Sequence, residues 1–282
     1  MQKIIIHLSL IAAAGMLAAS GQAGTIIAKG SDTLVILAQK WAEVYMAKHP
    51  ETTIQVTGGG SGTGFAALQN QTTGLADASR TIKAKEIEAC VRAFGRRPTE
   101  YKVCLDGLTV YVNPSNPVNE LSVEQLGGIF TGRITRWKEV GGADTPITLY
   151  SRENSSGSYE FFKEHVLEGR DFAAAAQTMP GTAAVLQAIA KDPNGIGYGG
   201  AAYGTGAKSL AVKKTAGAPA IMPTEETVVN GTYPIWRFLY IYVNPALDKG
   251  ETAAYLNWIR SDEGQKVVKE IGYYPLPAQW RK

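Results

Sequence analysis

Cysteine and histidine are scarce in this 282-residue chain, which has two cysteines, Cys90 and Cys104, and three histidines, His7, His49 and His165. So few thiol or imidazole groups leave too little to build a metal centre, and the cysteine spacing fits neither a CxxC redox pair nor a zinc pattern. Net charge is nearly absent as well. The 28 basic residues exceed the 25 acidic ones by three, a balance that points to neither a nucleic-acid partner nor an anionic membrane. No apolar run after residue 23 is long enough to span a bilayer, which takes about 20 residues. There is no GxSxG elbow. The glycine cluster at 58–64 lacks the lysine of a nucleotide phosphate loop and does not satisfy GxGxxG. His165 lies seven residues beyond Ser158, about two helical turns away, which disfavours a Ser–His pair. The 13 tyrosines and 5 tryptophans are scattered as core residues, with no cluster resembling a sugar-stacking platform.

The beginning of the chain differs from everything after it. Lys3 is its only charge, an apolar run covers Ile4 to Ala19, and small residues fill Ser20-Gly21-Gln22-Ala23. This predicts a secretory signal peptide over residues 1–23. His7, Ser9 and Gly15 interrupt the run too often for a membrane anchor, and Ser20 stands where a lipid-carrying cysteine would be required. The expectation is an exported, soluble protein without a lipid anchor. Loss of Lys3 leaves a charge of +2, so any anion binding must be local. In an oxidising compartment Cys90 and Cys104, which bound a 15-residue segment, are expected to form a disulfide. Closing so short a loop contributes about 3 kcal/mol in the chain-entropy model.

From Thr25 onward, short apolar strands alternate with amphipathic helices. Residues 25–29, 53–57 and 75–79 read as strands. Leu34, Leu37, Ala38, Trp41, Val44 and Tyr45 recur at helical spacing until Pro50, and helices are also predicted from Phe65 and over 83–94. Further on, 123–130, 158–166, 182–191, 252–260 and 262–271 read as helices, with strands at 147–151 and 196–198. The pattern implies an α/β fold with a mostly parallel sheet. Two similar segments, 108–114 and 238–245, each run a strand into an Asn-Pro turn. They are placed correctly for a chain that leaves one domain, builds a second and returns. The predicted division is 24–110 with 239–282 in one lobe and 111–238 in the other, with hinges around 110–112 and 239–243.

Three stretches put Ser or Thr beside Gly at a strand-to-helix turn: Gly30-Ser31-Asp32-Thr33, residues 58–64 (Gly-Gly-Gly-Ser-Gly-Thr-Gly), and residues 152–158 (Arg-Glu-Asn-Ser-Ser-Gly-Ser). A helix N-terminus carries roughly half a positive charge and up to four unpaired N–H donors, so several converging ends hold a desolvated oxyanion without a metal. Arg152 and Arg80 are the natural countercharges, since guanidinium presents a planar fork to two oxygens. A fully ionised tetrahedral anion needs only donors, whereas hydrogen phosphate also needs an acceptor for its proton. Asp32 suits that task, or alternatively caps the helix after it.

Together with Ala78-Ser79-Arg80 and the stretch from Ile129 to Trp137, these turns make five ordered motifs that resemble the PstS-type phosphate-binding proteins of bacterial ABC importers. The resemblance covers essentially all of the chain beyond residue 23. It implies a type II periplasmic-binding-protein fold: two α/β lobes, each a mixed and mostly parallel sheet flanked by helices, joined by two crossing strands with the anion between them. The family's ligand groups fall on Ser31, Asp32 or Thr33, on Ser61, and on Arg152, Ser156, Gly157 and Ser158. The resemblance further implies a monomer serving a membrane ABC permease, with no cofactor and no catalysis. One departure matters: many members carry an aspartate that accepts the phosphate proton after the third Ala-Ser, and Arg80 stands there here. Asp32 is then the expected acceptor. Rival readings are a receptor for sulfate, arsenate or a phosphonate, a secreted phosphatase with a serine nucleophile, and an adhesive protein that merely retains the fold.

Overall fold

The computed structural model describes residues 24–281, so the expected signal peptide at 1–23 lies outside the described residues. The chain opens with β1 (Thr25–Gly30), α1 (Val35–Lys48), β2 (Thr53–Thr57), α2 (Ser61–Gln69), β3 (Leu75–Ala78), α3 (Ala84–Phe94) and β4 (Thr99–Gly107). It then passes through Leu108 into β5 (Thr109–Val112), β6 (Glu120–Ser122), α4 (Val123–Phe130), β7 (Thr148–Arg152) and α5 (Gly157–His165). Next come β8 (Gln177–Met179), α6 (Gly181–Lys191), β9 (Gly195–Gly199), β10 (Lys208–Ser209), β11 (Ala211–Lys213), β12 (Ala220–Ile221) and α7 (Glu225–Val229). Finally β13 (Trp236–Val243), α8 (Gly250–Arg260) and α9 (Asp262–Ile271) return to the first sheet.

That first sheet has the order β2-β1-β3-β13-β4, with β1 parallel to β2 and β3, and β13 antiparallel to β3 and β4. Helices cover both faces. Leu37, Trp41 and Tyr45 of α1 pack with Leu256 of α8 and Val268 of α9 on one side, while Phe65 and Leu68 of α2 and Cys90 of α3 pack on the other. The second sheet runs β10-β5-β9-β7-β8, parallel through β9-β7-β8 and antiparallel at β5. Phe130 and Phe162 cover one face with Tyr198, and Val185, Leu186 and Ile189 of α6 cover the other. Helix α6 lies close because β9 offers glycine there: a Cβ on Gly197 would stand 2.8 Å from Val185. A small third sheet, β12-β11-β6, completes the second lobe.

Strand β4 is absent from the sequence reading, and the structure gives the reason. The register against β13 shifts between Leu239 and Tyr240, so Val103 and Cys104 both enter the same core cluster. Such a bulge breaks the alternation by which a strand is recognised.

The expected Cys90–Cys104 disulfide is not formed, and both residues are buried free thiols. The sheet itself separates them. Cys90 packs with Tyr240 and Tyr242, whereas Cys104 packs with Leu239, Ile241 and Val243, the residues of β13 that point to the opposite face. A bridge would have to pass through the strand layer.

Candidate anion-binding site

Each of the three serine–glycine turns ends a strand at the seam between the two sheets. Gly30 closes β1 with φ +146°, and a Cβ there would stand 2.2 Å from Asp77 O. This close approach lets Ser31 N donate to Asp77 O at 2.9 Å. Ser31 is 2% exposed, and its Oγ has no protein hydrogen-bond partner. Asp32 does not cap α1, whose N-cap position is Leu34 with no side-chain bond. Instead Asp32 Oδ1 accepts from Gly59 N at 2.7 Å and Oδ2 from Arg152 Nη2 at 2.7 Å.

At the second turn Gly59 and Gly60 take φ +113° and +90°, conformations that suit glycine, and α2 starts at Ser61. The side chain of Ser61 is fully buried, and its Oγ accepts from Ser79 N at 3.0 Å. Gly62 N donates to Ser155 O at 2.8 Å, so the second and third turns touch.

The third turn follows β7. Ser156 is the N-cap of α5, its Oγ accepting from Tyr159 N at 3.3 Å. Gly157 comes next, and a Cβ on it would lie 2.4 Å from Ser61 Oγ and 2.5 Å from Ser79 Oγ. Ser158 Oγ lies 2.8 Å from Thr33 Oγ1. The starts of α2 and α5 therefore face each other, and the turn before α1 joins them through Thr33.

Arg152 is buried behind these turns at 2% exposure. Its guanidinium donates to Asp32, to both carboxylate oxygens of Glu153 and, through Nη1, to Thr182 Oγ1 at 2.8 Å. Burial alone would lower its pKa, but Glu153 and then Asp32 outweigh that and hold it above the ordinary guanidinium value. Arg152 thus stays charged. Burial likewise opposes ionisation of Glu153, and Arg152 reverses the effect, keeping that carboxyl below its usual range.

Ser31, Asp32, Thr33, Ser61, Arg152, Ser156, Gly157 and Ser158 are thus brought to one seam. Arg80 is not among them. Its guanidinium forms two bonds of 2.8 and 2.7 Å to Glu86 of α3 and lies over the Phe65 ring at 4.8 Å, so none of its polar contacts reaches the serine turns.

Other residues at the seam escaped the sequence reading. Arg237 of β13, 4% exposed, donates through Nη2 to Ser158 Oγ at 2.8 Å and through Nη1 to Ser79 O at 3.0 Å. The Tyr203 and Tyr273 hydroxyls donate to the carbonyls of Asp32 and Thr33, both at 2.6 Å. A signal for Arg237 was present: it is a lone charge inside the apolar run from Ile235 to Val243, and an arginine so placed is buried only with partners. The arrangement as a whole gathers hydroxyl and amide donors around the buried guanidinium of Arg152 and the carboxylates of Asp32 and Glu153, with Arg237 behind Ser158, a set whose chemistry suits a small anion.

Two helix-flanked sheets with opposed helix N-termini at their seam define a type II periplasmic-binding-protein fold. The chain belongs to the PBP superfamily, whose family model matches residues 18–263, and within it to the PstS-type phosphate-binding proteins. It is 38% identical to the phosphate-binding protein PstS of Pseudomonas aeruginosa over 93% of this chain and 86% of that one. It is 32% identical to PstS of Bacillus subtilis over 90% of this chain and 81% of that one. Among solved structures it is similar to a putative phosphate ABC transporter substrate-binding protein with bound phosphate from Clostridium perfringens, with TM-score 0.83 and 26% identity, covering 90% of this chain and 100% of that one. An ABC-type phosphate transport receptor from Vibrio cholerae matches with TM-score 0.70 and 27% identity, over 89% of this chain and 100% of that one.

Proposed function

We propose that this protein is an exported receptor that captures inorganic phosphate between its lobes and delivers it to an ABC importer, without catalysing a reaction. The observation that carries this reading is the meeting of Thr33 Oγ1 and Ser158 Oγ, 125 positions apart in sequence, where the start of α5 faces that of α2. Relatives named for phosphate binding, and a similar structure with bound phosphate, support the choice of anion. Ser31, Thr33, Ser61 and Ser158 supply hydroxyls, Gly157 and its neighbours supply amides, Ser156 fixes the start of α5, and Arg152 supplies the countercharge. Asp32 accepts the phosphate proton in place of the family acid that Arg80 replaces. Arg80 acts indirectly, bracing the Ser79 turn against α3. The lobes divide near residues 108 and 235, whereas the hinge segments expected at 110–112 and 239–243 fall inside β5 and β13. In support, Leu108 N donates to Ile235 O at 3.0 Å, so the two chain passages run side by side as a hinge. The working form is a soluble monomer in the periplasm, freed of residues 1–23 and carrying no lipid.

Mass spectrometry of the ligand released from freshly purified protein tests this without choosing a substrate in advance. Phosphate is the expected species, and competition against labelled phosphate should place sulfate far below it. Release of sulfate or a phosphonate, or turnover of a chromogenic phosphate ester, would overturn the assignment.

A further inference from the structure

We infer that Arg237 is a positioning residue for anion recognition: it fixes the Ser158 hydroxyl as a donor toward the bound oxyanion, and the buried Asp106 holds it in place. This inference rests on the proposed phosphate site. Arg237 Nε and Nη2 donate to Asp106 Oδ2 at 2.9 and 2.8 Å, and Asp106 is fully buried on β4. Asp106 Oδ1 also accepts from Ala201 N at 3.0 Å, beyond the end of β9 in the other lobe. The pair is thereby anchored on both sides of the seam.

A guanidinium only donates, so the bond from Nη2 to Ser158 Oγ makes that oxygen an acceptor. A serine hydroxyl has a single proton. With one of its two lone pairs engaged by Arg237, Ser158 is biased to give that proton to whatever lies opposite, which is Thr33 Oγ1 or an anion. The same guanidinium fixes residue 79 through Nη1 and Ser79 O, and Ser79 N in turn donates to Ser61 Oγ at 3.0 Å. Ser61 is therefore left with its proton to donate as well. One arginine thus biases two hydroxyls from opposite lobes toward donation, Ser158 directly and Ser61 through residue 79. A hydroxyl with one lone pair already engaged by a guanidinium is the poorer acceptor for the O–H of hydrogen phosphate, so the ligand proton is steered away from Ser158 and toward Asp32. Lysine cannot substitute, since a point ammonium lacks the fork that serves Asp106, Ser79 and Ser158 together.

A double-mutant cycle on the mature protein, read by calorimetry with inorganic phosphate, tests the relay. Ser158→Ala and Arg237→Gln are each expected to weaken phosphate binding about tenfold, the loss of one charge-assisted hydrogen bond. Adding Arg237→Gln to Ser158→Ala should cost less than about threefold more, because the two act through one contact. Arg237→Lys should resemble Arg237→Gln. Arg237→Gln leaves Asp106 unpaired, so the cycle is repeated with Asp106→Asn/Arg237→Gln, which removes both charges. Full additivity would make Arg237 an independent ligand, and an unchanged affinity would make it purely structural. Either result, or wild-type affinity in Ser158→Ala, overturns the inference while leaving the phosphate site standing. A wild-type protein that does not bind phosphate brings down both.

Discussion

Arg152 Nη2 lies 2.7 Å from Asp32 Oδ2, joining residues 120 positions apart whose elements belong to different sheets. The pair ties the two jaws together and, after Glu153, helps keep the one guanidinium of the third turn charged at the seam. Glu153 shares the same Nη2, so Arg152 is held by two carboxylates and has one Nη1 hydrogen uncommitted, since Nη1 otherwise serves Thr182.

Replacing Arg152 by Ala removes the countercharge and strands Asp32 and Glu153. Phosphate affinity should fall at least about a hundredfold by calorimetry, and stability should drop by about 3 kcal/mol, as for breaking a buried ion pair from one side. An affinity within a factor of about three of wild type would mean that the anion binds elsewhere.

Asp32→Asn tests the reading of the ligand proton. The amide keeps the shape but presents one acceptor oxygen instead of two, and it offers donors where a carboxylate offers none. Phosphate binding should weaken about tenfold and its margin over sulfate should narrow. Unchanged selectivity in competition titrations would confine Asp32 to joining Gly59 and Arg152.

Gly157→Ala should block closure. The added methyl would stand within 2.5 Å of both Ser61 Oγ and Ser79 Oγ, although alanine suits the helix at least as well as glycine. The variant should melt near the wild-type temperature, bind phosphate more than about tenfold more weakly, and remain extended by small-angle scattering when phosphate is added. Wild-type compaction with phosphate would show that the two loops do not meet in the closed form.

The two cysteines should remain thiols even in protein recovered from an oxidising compartment. Burial, with the nearby Glu86, pushes the Cys90 thiol up to about 11, and burial also raises Cys104 well above the usual thiol value, so neither forms a thiolate readily near neutral pH. A thiol reagent should count two groups after denaturation and none in the native protein. No reactive thiol after denaturation would restore the disulfide.

Asp77 should give the fold a pH dependence of its own. Burial raises its carboxyl from 3.8 to about 7, and its Oδ1 has no hydrogen-bond partner in the protein. The folded state therefore holds a proton that the unfolded chain releases near pH 4. The contribution is complete below about pH 4 and is lost as pH rises through about 7. At 1.4 kcal/mol per unit it amounts to up to about 4 kcal/mol. Urea unfolding from pH 4 to 8 should show wild-type stability falling relative to Asp77→Asn, and parallel curves would contradict it.

Much of the scaffold was legible because its signals are local. The predicted helix at 262–271 and strand at 53–57 coincide with α9 and β2, where a capping Ser261 and a clean alternation mark the bounds. The three serine–glycine turns were equally visible, since each needs only a strand, a glycine and a helix start. Segments such as β4, with its bulge, and the two-residue β10 and β12 carried no such periodicity.

The sequence by itself determined the alternation of strands and helices, the three serine–glycine turns and Arg152 beside the last of them, because each is a matter of neighbours along the chain. Only the tertiary structure decided which charges meet. It turned Arg80 to Glu86, drew Arg237 to Asp106 and Ser158, and set a sheet between Cys90 and Cys104. The physical reason is that a buried charge or thiol takes its character from groups brought beside it by packing, and sequence separation carries no record of that proximity.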